Sequence, residues 1–151
     1  MNDNYCFSVG CIVRRKKQVL LVRHTYGGAK GKLLIPGGFC HENELPEEAA
    51  VREVFEETSI TAEVKRMLGI RCDRKTWYLL FEMDYIDGNP TSDMSENSEV
   101  LFCEISDALT RNDCTEMTKV SLRKIFNDSA DYLYSNLEYK AHKGSDYTLY
   151  T

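Results

Sequence analysis

No apolar run in these 151 residues approaches the ~18 needed for a helix to cross a bilayer, so membrane insertion is not expected. The N-terminus, MNDNYCFSVG, lacks the basic stretch and long apolar core of a secretory leader, and a cytoplasmic location is the expectation. The six cysteines, at 6, 11, 40, 72, 103 and 114, form no Cys-x-x-Cys pair and none is grouped with the three histidines at zinc-site spacing. They are expected to be reduced: Cys11 and Cys103 as small core residues, Cys40 as an exposed thiol in a loop. No histidine joins a cysteine in a recognisable catalytic motif, which argues against a thiol nucleophile. An excess of positive charge is also missing. The formal net charge of -5 excludes the basic footprint of stable, non-specific nucleic-acid binding. There is no internal repeat, low-complexity linker or second composition regime, and the length suits one domain with a proper core.

What charge there is sits unevenly. Residues 1–35 carry seven basic residues (Arg14, Arg15, Lys16, Lys17, Arg23, Lys30, Lys32) against Asp3, whereas 42–57 carry seven glutamates against Arg52. A polyphosphate held partly by a metal and partly by cations would suit that division. Arg14 to Lys17, however, read better as a basic turn between two strands, Phe7–Val13 and Gln18–Arg23. A glycine-rich loop over 24–32 follows, then a short strand in LLIPGG that Pro36 ends. Ala62–Cys72 and Thr76–Asp84 have strand composition, 87–99 has the turn chemistry of an exposed loop, and Val100–Ile105 resumes as a strand. A second helix is expected over Thr115–Asn127, its apolar stripe being Val120, Leu122, Ile125 and Phe126. Strands alternating with helices predict an α/β protein, layered as a sandwich.

The densest chemistry lies in GFCHENELPEEAAVREVFEETSI, Gly38 to Ile60. A helix is predicted from Pro46, well suited to a first helical position, to Thr58; Leu45 makes a poor N-cap. Helical spacing puts Glu53, Glu56 and Glu57 on one side, with Ala50, Val51, Val54 and Phe55 favouring another. Three carboxylates that close repel unless a cation lies between them, and hard oxygen donors suit Mg²⁺ or Mn²⁺. Arg52, four residues before Glu56, and Glu44 upstream can hold part of the cluster in place.

The stretch resembles the Nudix signature: Gly, five residues, Glu, seven residues, Arg-Glu, an aliphatic, any residue, Glu-Glu, any residue, Gly, an aliphatic. Gly38, Glu44, Arg52, Glu53, Val54, Glu56, Glu57 and Ile60 fill those places. From average residue usage, such a match arises by chance on the order of 10⁻⁹ to 10⁻⁸ of the time per starting position. Ser59 departs, standing where the family has glycine. If the left-handed turn is kept, Ser59 carries positive φ at a cost of roughly 1 kcal/mol.

The resemblance implies a Nudix fold, an α/β/α sandwich with a mixed sheet between helices, as a single domain over 1–127. Residues 128–151, rich in tyrosine, lie outside the resemblance and are expected to form an extension, either docked or partly ordered. It implies a Mg²⁺- or Mn²⁺-dependent hydrolase that cleaves the pyrophosphate of a nucleoside diphosphate linked to a second group. The metal ligands it implies are Glu53, Glu56, Glu57 and the main-chain carbonyl of Gly37. Glu56, Glu53 and Arg52 are the catalytic candidates, with a later-loop glutamate, Glu99 ahead of Glu96, as an alternative base. Arg23 lies where relatives hold substrate phosphates, although a plain surface arginine at a strand end fits equally. The small-molecule nucleotide is the expected partner, with a homodimer as an open option. A Nudix-fold sensor that binds a nucleotide or nucleotide sugar without cleaving it is the alternative reading. Thr76 occupies the place, sixteen residues past the motif, where ADP-ribose hydrolases carry proline, which weighs against that substrate. A tyrosine in this region, here Tyr78, is weak support for dinucleoside polyphosphates, and Trp77 is either a stacking surface or core.

Overall fold

The basic turn at Lys16–Lys17 does join two strands, β1 (Cys6–Arg15) and β2 (Gln18–His24), in register Arg14↔Val19 and Arg15↔Gln18. The computed structural model describes residues 6–126 and 148–150. Pro36 divides LLIPGG into two strands rather than ending one: β3 (Leu33–Leu34) pairs with β2, and β4 (Gly37–Phe39) pairs with β1. The break follows from proline's missing N–H, and the Pro36 carbonyl accepts the Cys11 N–H at 2.9 Å as the chain changes partner.

The motif helix α1 (Pro46–Thr58) has the predicted bounds. Leu45 offers its first turn no side-chain acceptor; instead the Glu48 carboxylate reaches back to the Leu45 N–H at 2.9 Å. Two long strands follow, β5 (Thr61–Cys72) and β6 (Thr76–Asp87), the latter running parallel to β1 from Cys6↔Thr76 to Arg14↔Asp84. Then β7 (Asn97–Glu104) begins three residues before the expected Val100, and a helix not foreseen, α2 (Ile105–Thr110), precedes α3 (Glu116–Phe126). Of the tyrosine-rich extension, Thr148–Tyr150 forms β8, antiparallel to β5 at Ile70↔Tyr150; the remainder lies outside the described residues.

These strands form one mixed sheet in the order β3-β2-β1-β6-β5-β8, with β4 also on β1 and β7 also on β2. Alternation along β1 and β6 splits the core in two. Val9, Cys11, Val13, Leu79, Phe81 and Met83 meet Ala49, Ala50 and Val54 of α1 on one face. On the other face Ile12, Leu21 and Leu80 meet Ala108 of α2 and Leu122 and Ile125 of α3. Phe126, counted in the apolar stripe of α3, is instead exposed. The result is the expected α/β/α sandwich, with α1 carried on the sheet so that one flank reaches β4.

Candidate active site

Two glycines make room for the carboxylates. A Cβ on Gly37 would lie 2.1 Å from the Val9 carbonyl oxygen, and one on Gly38 would lie 2.4 Å from Glu53 Oε1. Only bare backbone therefore lets β4 press between β1 and the motif helix. Glu57, in the last turn of α1 on its buried face, is 3 % exposed and accepts the Gly37 N–H at 3.0 Å. Glu53 is largely covered and Glu56 exposed. The three carboxylates thus fan from core to solvent rather than sharing one exposed side. The corollary corrects the expected apolar face: Ala50 and Val54 are buried, whereas Val51 and Phe55 are exposed.

Arg52 organises the outer part of this fan. Its Nε and Nη2 donate to the two oxygens of Glu44 at 2.7 and 2.9 Å, a bidentate pair. Nη1 donates to Glu53 at 2.8 Å and Glu56 at 3.0 Å, and Nη2 also to the Phe39 carbonyl at 3.0 Å. Arg52 and the His41 N–H hold the Glu44 carboxyl down to about 2. Burial pushes Glu57 up to about 8, against the opposing Gly37 N–H, with Glu53, Glu96 and Asp93 adding repulsion. Burial also raises Glu53; Arg52 opposes it, while Glu56 and Glu96 reinforce it.

A cation fits this donor set. Glu57 is a buried carboxylate with one backbone donor, facing further carboxylates, and all the side-chain oxygens are hard ligands. Among the described residues no three His, Cys, Asp or Glu side chains already converge at metal-ligand geometry, and the Arg52 guanidinium spans Glu53 and Glu56 instead.

The segment before β7 completes the site. Asp93 Oδ1 accepts the N–H groups of Ser95, Glu96 and Asn97 at 2.9, 3.1 and 3.1 Å. Asn97, fully buried, donates through Nδ2 to the Glu57 carbonyl at 2.9 Å. Thr25 donates through its N–H and hydroxyl to the Glu96 carbonyl, both at 3.0 Å, and the Tyr26 hydroxyl donates to the Glu96 carboxylate at 3.2 Å. Glu96 is therefore fixed within the field of Glu53 and Glu57. Glu99 is engaged elsewhere: its carboxylate accepts Arg23 Nε at 2.6 Å. Arg23 Nη1 further donates to the Gly31 carbonyl and to Asp113, so this arginine ties β2, the glycine-rich loop and the α2–α3 turn together. Tyr26, Asp93 and Asn97 were missed in the sequence; the only signal was an aspartate three residues before a loop glutamate, a turn pattern. Cys40 is half-buried rather than exposed, and burial followed by Glu44 raises its thiol. Beside the motif loop, Cys6, Phe7, Phe39, Cys40 and His41 line a cavity of about 580 Å³.

A sequence profile of the NUDIX domain matches residues 4–123. The chain belongs to the Nudix family. An ADP-ribose pyrophosphatase from Methanocaldococcus jannaschii is 38% identical over 63 residues, 42% of this chain and 37% of that protein. An RNA pyrophosphohydrolase from Hamiltonella defensa is 37% identical over 67 residues, 44% of this chain and 40% of that protein. The chain thus spans about two fifths of these curated relatives' length. The crystal structure of a Nudix hydrolase from Nitrosomonas europaea superposes with a TM-score of 0.76 at 24% identity, covering 85% of this chain and 73% of that one, a likeness of fold. Nudix proteins generally use divalent metal ions, which suits the carboxylate fan. No helix among the described residues is long and apolar enough to cross a membrane.

Proposed function

We propose that this Nudix protein is a Mg²⁺-dependent pyrophosphohydrolase, cleaving the diphosphate of a nucleoside diphosphate joined to a second group. The observation that carries the reading is Glu57: a carboxylate buried where the motif helix meets β4 and backed by Glu53 and Glu96, with no cation paired to it among the described residues. A fold preserved for packing alone would be more stable with an apolar residue there.

In this mechanism Glu53, Glu56 and Glu57 would hold the ion, with the Gly37 carbonyl as a further donor. When bound, the ion supplies charge neutralisation at the phosphates and a more acidic water. Arg52, locked on Glu44, keeps Glu53 and Glu56 oriented. Water adds to one phosphorus, the bridging oxygen leaves, and a carboxylate takes the proton from the water. Two carboxylates are candidates to accept that proton. Glu56 is exposed, with one oxygen accepting from Arg52 Nη1, and Glu96 is held beside the cluster by the Tyr26 hydroxyl and the Asp93 turn. We take Glu96 ahead of Glu99 as the loop candidate, because the charge of Glu96 acts on Glu53 and Glu57 while the Glu99 carboxylate pairs with Arg23. Arg23 is itself paired with Glu99 and Asp113, so a role for it at a substrate phosphate competes with those ion pairs.

Phosphate release or mononucleotide formation with Mg²⁺, across nucleotide sugars, ADP-ribose, dinucleoside polyphosphates and nucleoside triphosphates, tests the reading. Glu56→Gln is expected to reduce kcat on the active substrate by about 10² or more with the fold retained. A wild-type protein that binds but cleaves none of the panel would favour the sensor reading.

A further inference from the structure

Within the glycine-rich loop the Tyr26 ring stacks on His24, with centroids 4.9 Å apart and planes 29° from parallel. Despite that contact Tyr26 is 52 % exposed. Both ends of the ring are fixed. At its base, Thr25 is tied to the segment before β7 by its N–H and by a hydroxyl donating to the Ser95 carbonyl at 2.8 Å. At its tip, the hydroxyl donates to Glu96. The loop is closed behind it by the His24 N–H to the Lys32 carbonyl at 3.1 Å and the Gly31 N–H to the His24 carbonyl at 2.8 Å.

A large exposed aromatic held at both ends, backed by a second ring, is costly to explain as packing, since half its surface stays in water. It is well suited to binding, because its rotamer entropy is already lost before a ligand arrives. Its position sets the ligand: the tip touches Glu96, which acts on the same carboxylates that would hold the diphosphate metal. The ring therefore borders the carboxylates that would hold the diphosphate metal, and the base carried by the nucleoside half is the planar group suited to its free face.

We propose that Tyr26, backed by His24, is the stacking platform for the nucleobase of the substrate. This rests on the pyrophosphohydrolase reading for the placement of the diphosphate, but its test does not need turnover. Stacking on a ring tolerates any base, so the platform contributes affinity for the nucleoside half and leaves the second group to be selected elsewhere.

Calorimetric titration with α,β-methylene adenosine and uridine diphosphates, and with base-free methylenediphosphonate, all with Mg²⁺, decides the matter. Tyr26→Ala is expected to weaken the nucleoside analogues by about 5- to 150-fold while leaving methylenediphosphonate unaffected, and Tyr26→Phe to recover the lost affinity. The proposal is overturned if Tyr26→Ala binds the nucleoside analogues as the unmodified protein does. It is also overturned if Tyr26→Phe is as weak as Tyr26→Ala, since the hydroxyl contact to Glu96 would then carry the effect. Loss of base-free ligand in parallel, wild-type protein that binds no nucleoside analogue, or loss of affinity in Phe39→Ala instead would equally sink it, the last by placing the base in the cavity beside the motif loop. Stacking confirmed in a protein that cleaves no nucleotide would leave the platform standing and refute the hydrolase.

Discussion

Asn97 donates its side-chain amide to the Glu57 carbonyl at 2.9 Å, joining the start of β7 to the last turn of the motif helix. Helix ends leave carbonyls without partners, and this one lies in the core, out of reach of water. The same asparagine donates its N–H to Asp93, so one residue sets the distance between the helix and the turn that carries Glu96. Asn97→Ala is expected to cost about 1–3 kcal/mol in urea denaturation, the penalty of an orphaned buried acceptor. Unchanged stability would show that the helix end finds another donor.

Glu57→Gln is expected to leave the metal-free protein at least as stable as wild type. Glutamine can still accept the Gly37 N–H, and it removes a buried carboxylate that burial and its neighbours destabilise. The rise in melting temperature that millimolar Mg²⁺ gives the wild type is expected to vanish in the variant. Thermal melts in EDTA and in Mg²⁺ check both halves; a full Mg²⁺ shift in the variant would remove Glu57 from the ligand set.

On the opposite face of the sheet Glu82 is wholly buried, bound by Arg14 Nη1 at 2.8 Å and Arg66 Nε at 2.6 Å, with Lys65 at 3.9 Å. Burial alone would raise its pKa, but the cations outweigh it and hold the carboxyl below the ordinary 4.5. The folded value being depressed, this contribution is complete above about pH 4.5 and is lost as pH falls through the lower folded value. Glu82→Gln should flatten the acid limb of the stability–pH curve. At pH 7 it should cost about 1–3 kcal/mol, below the usual figure for breaking a buried pair because Arg14 and Arg66 are 31% and 50% exposed. Denaturant titrations from pH 3 to 7 read both effects, and parallel curves for the two proteins would refute the assignment.

Ser59 closes α1 at φ 58°, ψ 21°, the left-handed geometry expected of the signature glycine. Its N–H still reaches the Phe55 carbonyl at 2.8 Å, so the turn is kept and the serine bears the strain. Ser59→Gly is expected to raise stability by up to about 1 kcal/mol, reduced by the entropy glycine adds to the unfolded chain, with little change in kcat. A destabilised variant would show that the hydroxyl has a capping role.

The motif helix was legible because its information is local. Pro46 sets its start, helical spacing sets which carboxylates neighbour one another, and Arg52 meets Glu56 one turn away at 3.0 Å as that spacing requires. The long strands β5 and β6 were legible for the same reason, their composition being read within ten or so residues. Spacing alone grouped Val51 and Phe55 with the buried face, because a helical wheel has no origin until the sheet supplies one.

What the tertiary structure decided depends on pairings between residues far apart in the chain. Between Val22↔Val100 and His24↔Asn97, β7 has one more residue than β2, and this bulge sets Ser98 and Glu99 against Arg23 alone. A one-residue slip in a strand reverses the faces of its side chains, so nothing in SENSEV by itself says that Glu99 goes to Arg23 and Glu96 to the carboxylates. Tyr26 and Asn97 join the site through the same β2–β7 register. The sequence alone determined the chemistry of the cluster, through residue types at fixed helical intervals. Its depth, its loop glutamate and its aromatic neighbour came from strand register, which only the packed sheet fixes.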